Sequence, residues 1–357
     1  MASLMRAVAL MGAYNATVID VPKPTIVNGT DAIIRMTASA ICGSDLHYYH
    51  SNEGSPENPV RVGHEAIGYI EEIGDAVEYL NVGDYVVVPF LMDNGHYQFG
   101  PESGGASDGR IGMQAEYARI PYADHTMIPV PLNASSDKST VYDYLFMSDI
   151  FATGWTALDF AGLETGDTVA IFGAGPVGQM AVDLAMLRGA SKVYSIDRVQ
   201  NRLDMAASNG AIPINFADSD PVEQILALEP GGVTRVVDAV GFEAVDAEGN
   251  VDSSIVLRNA QRLVAPLGGI GVIGVYGLNQ NQTEAFNINQ LWFNGFSVRG
   301  GVAQPLRLAN EMANLIATGR AHPSFVVSAS IGIEDAPEYY GRFDRKEETK
   351  VVIDFPL

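Results

Sequence analysis

Thr168-Val-Ala-Ile-Phe-Gly-Ala-Gly-Pro-Val-Gly178 is the stretch whose reading decides the fold. Thr168 to Phe172 is an apolar, β-branched run, and Gly173-Ala174-Gly175-Pro176-Val177-Gly178 follows it directly, ahead of an Ala- and Leu-rich helical segment. Such a junction lets the backbone turn tightly and lets a pyrophosphate approach the helix N-terminus, where unpaired N–H groups favour an anion. A bare GxGxxG is weak in a chain with 37 glycines; its contiguity with strand and helix gives it weight. A second strand, Lys192 to Asp197, ends in a carboxylate 19 residues after Gly178, where an acid can bind both ribose hydroxyls. Gly173, Gly175, Pro176, Val177, Gly178 and Asp197 are therefore expected to hold a dinucleotide. Asp197 repels a 2′-phosphate, so NAD is expected over NADP, with Arg198 either offsetting that repulsion or standing as a solvated cation.

Working outward, Thr234-Arg-Val-Val-Asp-Ala-Val240 and Gly269-Ile-Gly-Val-Ile-Gly-Val275 are further apolar runs with helix-length segments between them. That alternation predicts an α/β unit with a doubly wound parallel sheet. Before Thr153 the chain reads as short β segments bounded by Gly, Pro, Asn or Asp, among them Asp31–Thr37, Ala66–Ile73 and Tyr85–Phe90, and a compact β barrel is expected. The last strand-like run, Lys350-Val-Val-Ile-Asp-Phe355, can return to complete it. The expected division is residues 1–153 with 295–357 in one domain and 154–294 as an inserted nucleotide domain; at 357 residues, two domains are the natural number.

The chain is 47% hydrophobic with a mean hydropathy of +0.09, which fits a packed globular protein. Its net charge of −22 repels nucleic acid and anionic lipid, and no apolar run reaches the ~18 residues a membrane span needs. Neither partner is expected, and a cytoplasmic location is the default for a chain with one cysteine.

That cysteine, Cys42, lies in Cys42-Gly43-Ser44-Asp45-Leu46-His47, with Gly63-His64-Glu65 close behind. It has no disulfide partner within the chain. Zinc accepts thiolate, imidazole and carboxylate, and a catalytic zinc needs only three protein ligands and an open position. The alternative reading is a small buried hydrophobe.

Taken together, Gly63-His64-Glu65-Ala66-Ile67-Gly68, the Cys42–His47 segment and the Gly173–Gly178 fingerprint, in that order, resemble the zinc-containing medium-chain alcohol dehydrogenases over nearly the whole chain. Gln114-Ala115-Glu116-Tyr117, Pro121-Tyr122-Ala123-Asp124, Ser148-Asp149-Ile150 and Thr153-Gly154 are similar to the glutathione-independent formaldehyde dehydrogenase branch, where an aspartate replaces a second cysteine ligand. The resemblance implies a GroES-like β-barrel catalytic domain joined to a Rossmann domain. It further implies a homo-oligomer, dimer or tetramer, acting on a small-molecule alcohol or aldehyde, a larger primary alcohol or aldehyde fitting as well as formaldehyde.

It also implies one catalytic zinc on Cys42, His64 and Asp149, with Glu65 as an alternating or supporting ligand. Hydride then passes between an alcohol and NAD through a zinc-bound alkoxide. Ser44 matches the hydroxyl that receives the alcohol proton, and His47 the residue that passes it to solvent, an imidazole with an ordinary pKa near 6.5 being suited to that task. Thr153 matches a position beside the nicotinamide carboxamide, or else caps a helix. Asp45 is expected to brace the zinc loop, and Glu116 to serve as a salt-bridge partner.

The segment from Leu91 to Met113 holds no cysteine, so a second, structural thiolate zinc is excluded. Asp93, His96, Glu102 and Asp108 offer a poor substitute on a Gly-rich loop. His50, His125 and His322 have no motif around them. Tyr48, Tyr49, Trp292 and Phe293 are candidates for an aromatic substrate pocket, with core packing as the alternative. Two other functions stay open on the same fold: a zinc-free enoyl or quinone reductase, and a non-catalytic dinucleotide-binding protein.

Overall fold

The computed structural model describes residues 3–92, 112–277 and 286–356. Asp93, His96, Glu102 and Asp108 lie outside them. The chain divides into two compact units, Met1–Ala152 with Gln304–Leu357, and Thr153–Ala303.

The first unit contains β1 (Leu4–Leu10), β2 (Ala16–Pro22), β3 (Ala32–Ile41), β4 (Val60–Arg61), β5 (Ala66–Ile73), β6 (Tyr85–Val88), β7 (Tyr117–Ile120) and β8 (Ile128–Pro129). The second contributes β9 (Thr168–Phe172), β10 (Lys192–Asp197), β11 (Ile212–Asn215), β12 (Val233–Asp238), β13 (Val264–Val272) and β14 (Ser297–Gly300). The chain then re-enters the first unit as β15 (Ala329–Gly332) and β16 (Val351–Asp354).

In the first unit a small sheet runs β2-β1-β4, and a larger one runs β15-β16-β3-β5-β6-β8 with β7 also on β3. β3 is the hub. It is covered on both faces and pairs antiparallel with β5, β7 and β16, so its side chains are nearly all buried. Ile34, Met36, Ile41, Val86, Val88, Tyr340, Phe343 and Ile353 form part of the core around it. Two registers matter for function. Ser39 pairs with Ala66, which brings the residues just before β5 alongside the end of β3, and Ile41 pairs with Val351, which brings Lys350 there from the other side.

The second unit is a parallel sheet in the order β11-β10-β9-β12-β13-β14. The order reverses between β9 and β12, and in doubly wound sheets ligands bind beyond the strand ends at that point. β14 belongs to this sheet, so the chain stays in the unit through Ala303 and does not leave at the expected residue 295. The expectation failed because Ser297–Gly300 is too short and too polar to read as a buried strand.

Candidate metal centre and nucleotide loop

Cys42 follows the last residue of β3, His64 stands two residues before β5, and Asp149 sits between the turn Phe146–Ser148 and the helix Ile150–Ala161. The turn is tied to the end of β6 by the Phe90 N–H donating to the Ser148 carbonyl at 3.1 Å. Cys42 Sγ lies 3.6 Å from Asp149 Oδ2, and His64 Nε2 lies 3.1 Å from the same oxygen. All three residues are buried, and one ligand atom from each falls within 4.8 Å of the others, the one such cluster among the described residues. A thiol, an imidazole and a carboxylate converging in a buried site make up the S, N and O donor set that a divalent metal such as zinc accepts.

The residues around the cluster aim it. Asp45 Oδ1 is 3.3 Å from His64 Nδ1, leaving Nε2 to face Cys42 and Asp149. Asp45 Oδ2 accepts from the Cys42 N–H at 2.9 Å and from Gln114 Nε2 at 3.1 Å, and Tyr340 donates to Gln114 Oε1 at 2.8 Å. A buried chain thus runs from Tyr340 through Gln114 and Asp45 to His64. Burial opposes charge on the imidazole, yet the Asp45 carboxylate and hydrogen bonds to Asp149, Asp45 and Cys42 raise its pKa well above the ordinary value. Asp45 therefore braces the loop as expected.

Glu65 is placed differently from Cys42, His64 and Asp149. Its carboxylate is ion-paired with Lys350, both side chains being wholly buried, and it is not part of the compact triad. Burial disfavours the Lys350 ammonium, but the charges of Glu65 and Cys42 raise its pKa. Ser44 Oγ lies 3.1 Å from His64 Nε2, on the side facing Asp149. His47 is half-buried on the next turn, in the helix Asp45–Tyr49.

In the second unit the glycines behave as their chemistry requires. Gly173 has a φ of +92°, and a Cβ on Gly178 would stand 1.8 Å from the Gly173 carbonyl oxygen, so only glycine fits there. The helix Pro176–Leu187 starts on this turn with Pro176 in its first turn. Asp197 Oδ2 accepts from the Ala174 N–H at 2.8 Å, and Oδ1 from the Arg198 and Val199 N–H groups at 2.7 and 2.9 Å. Gln179 Nε2 donates to the Ala174 and Arg202 carbonyls at 2.9 and 2.8 Å. The loop is cinched from both sides.

Two sequence models match. Residues 28–131 fit the alcohol dehydrogenase GroES-like domain, and residues 176–318 fit the zinc-binding dehydrogenase. An uncharacterized zinc-type alcohol dehydrogenase-like protein of Bacillus subtilis is 32% identical across 98% of this chain and 100% of its own. The glutathione-independent formaldehyde dehydrogenase of Pseudomonas aeruginosa is 32% identical across 98% and 97%. The solved alcohol dehydrogenase TADH of Thermus sp. ATN1 superposes with a TM-score of 0.84 at 32% identity, covering 99% of this chain and all of that one. The chain belongs to the zinc-containing medium-chain alcohol dehydrogenase family. It is an oxidoreductase of that family, with a GroES-like unit and a Rossmann unit.

Within this dehydrogenase several expected placements change. Arg198 is exposed and turned towards Gly249, whose added Cβ would meet its Nη1 at 2.9 Å. The cation beside the glycine loop is Arg202, from the helix Gln200–Ser208; its Nη1 lies 3.6 Å from a Cβ built on Gly175, and its Nε is buried with no hydrogen-bond partner among the described residues. Burial lowers the Arg202 pKa, and the Asp197 charge works against that. Thr153 lies inside the helix Ile150–Ala161 and caps neither end.

Trp292 and Phe293 are exposed, at 75% and 79%, and meet edge to face, so they are not part of a packed core. Tyr49 is core, against Tyr340, with Tyr48 packed beside it. Glu116 accepts the Arg6 backbone N–H at 2.7 Å, while the Arg6 side chain pairs with Asp20 and Glu334. His50 pairs with Asp344, and His322 stands 3.5 Å from Asp143.

Lys350, Gln114 and Arg202 were not singled out as site residues from sequence. Gln114 stands in the Gln114–Tyr117 motif, and Lys350 opens the strand-like run that ends at Phe355. Only sheet register and helix rotation show where they point.

Proposed function

We propose that this chain interconverts a small alcohol and its aldehyde with NAD(H), using one zinc held by Cys42, His64 and Asp149. The observation that carries the reading is the convergence of those three buried donors within 4.8 Å. When bound, zinc supplies a Lewis acid that acidifies the alcohol, and NAD supplies the hydride acceptor. A carboxylate in place of a second thiolate leaves the net charge unchanged but donates less electron density, which would make the bound ion a stronger Lewis acid.

The chain's own residues handle the rest. Asp45 fixes the His64 tautomer. Ser44, 3.1 Å from His64 Nε2, is positioned to accept the alcohol proton, and His47 passes it outward. Asp197 and the Gly173–Gly178 turn hold the dinucleotide, with the buried carboxylate favouring NAD over NADP. Arg202, rather than Arg198, is the cation beside the phosphate-binding turn. The enzyme works as a cytoplasmic homo-oligomer, dimer or tetramer, with its catalytic unit drawn from both ends of the chain.

The test is turnover of an alcohol and aldehyde panel with NAD or NADP, run beside elemental analysis. Zinc-dependent reduction of NAD by at least one alcohol is expected. Full activity in metal-free protein overturns the reading in favour of zinc-free reduction, and no turnover across the panel favours a non-catalytic role.

A further inference from the structure

We propose that Lys350 restrains Glu65 and so keeps the metal's fourth coordination position open for substrate. The inference rests on the zinc reading above. Glu65 follows the ligand His64 directly, and a carboxylate oxygen is as competent a zinc ligand as the one Asp149 offers. Its Oε2 is held by Lys350 Nζ, both side chains being 0% exposed. Its other oxygen, Oε1, is buried with no hydrogen-bond partner among the described residues. An unpartnered acceptor in a dry site carries a free-energy cost that a nearby cation would relieve. Yet Glu65 stands outside the set of mutually close ligand atoms formed by Cys42, His64 and Asp149.

Among the described residues the ammonium ion-paired with Glu65 is that of Lys350, whose own position is fixed. It precedes β16; its carbonyl accepts the Ser328 N–H at 2.9 Å, its N–H donates to Ser328 Oγ at 3.3 Å, and its Nζ lies 5.6 Å from the centroid of the Phe146 ring. Charge points the same way. A thiolate, Asp149 and Glu65 carry three negatives, against two positives on zinc and one on Lys350, with Asp45 a further negative behind His64. Remove the ammonium and the site gains a net negative charge, with Glu65 freed to satisfy it on the metal. Four protein ligands then saturate a tetrahedral zinc, the closed pattern of a structural site.

The experiment uses the full chain with Lys350→Met, Lys350→Arg and the double variant Lys350→Met/Glu65→Gln. Two readouts do not depend on turnover: release of zinc to a chromophoric chelator, and the visible spectrum of the cobalt(II)-substituted protein titrated with azide, which needs an open position. Lys350→Met is expected to keep its metal, release it about tenfold more slowly and bind azide about tenfold more weakly, in the range typical of residues that support metal ligands. Lys350→Arg should behave as wild type, and the double variant should regain azide binding.

Faster metal loss in Lys350→Met, unchanged azide affinity, or no recovery in the double variant overturns the proposal. Should Lys350→Met fail to fold, Lys350→Gln, which keeps a donor to Glu65, must still weaken azide binding, and unchanged affinity there overturns it equally. A wild-type chain that takes up neither metal refutes the zinc reading itself; a loaded wild type with an indifferent Lys350→Met refutes only the restraint.

Discussion

The metal cluster and the glycine loop are held by different kinds of bond. Around Cys42, His64 and Asp149 most contacts join side chain to side chain, Asp45 to His64, Gln114 to Asp45 and Lys350 to Glu65, with Asp45 also accepting the Cys42 N–H. Around Gly173–Gly178 they join side chain to backbone, with Asp197 accepting three amide N–H groups and Gln179 donating to two carbonyls. A buried network of charges has few neutral ways to lose a member, and removing one partner of a buried ion pair typically costs about 3–5 kcal/mol. In the loop a side-chain change costs local hydrogen bonds to the backbone. Substitutions in the first region should therefore change metal and chemistry together. Those in the second should change cofactor choice or local stability and leave the metal alone.

The largest effect short of removing a ligand is expected at His47. His47→Gln should slow alcohol oxidation by about 10²–10⁴-fold with the zinc retained, and imidazole buffers or higher pH should restore part of the rate. Loss of zinc in this variant would make His47 a ligand and break the division of labour with His64. Next comes Asp45→Asn, which removes the charge that orients His64 and should weaken metal affinity by about 10–100-fold in chelator competition. Unchanged affinity would show that backbone geometry alone aims the imidazole.

In the nucleotide unit, Asp197→Ser should move the NAD/NADP preference towards NADP by about tenfold, roughly 1.4 kcal/mol, in steady-state kinetics, with metal content unaltered. A wild-type enzyme that already prefers NADP contradicts the role given to Asp197. Gly178→Ala should lower unfolding stability by about 1–3 kcal/mol, because the added Cβ overlaps the Gly173 carbonyl oxygen. Chemical denaturation reads it directly, and a variant as stable as wild type would show that the helix can shift.

What the sequence made legible follows the same division. The strand, glycine turn and acid from Thr168 to Asp197 are contiguous, so local spacing alone reveals the loop and the parallel sheet around it. The metal set is scattered: Asp149 is 107 residues from Cys42, and only the family resemblance brought it into the set. Lys350 stayed hidden although its strand was foreseen, since its place beside Glu65 depends on the Ile41–Val351 register. Arg198 is legible as a candidate because it adjoins Asp197 in sequence, whereas the place of Arg202 beside Gly175 depends on rotation about a helix. Trp292 and Phe293 are candidates for an aromatic pocket or for core packing by residue type alone, which says nothing of their exposure.

The central claim is a single zinc on Cys42, His64 and Asp149, and metal stoichiometry tests it most directly. Elemental analysis of purified wild type should give one zinc per chain, and Cys42→Ser should lose that zinc and the alcohol–NAD activity together. Two tightly held zincs per chain, none in active enzyme, or a Cys42→Ser protein that keeps its metal would contradict it.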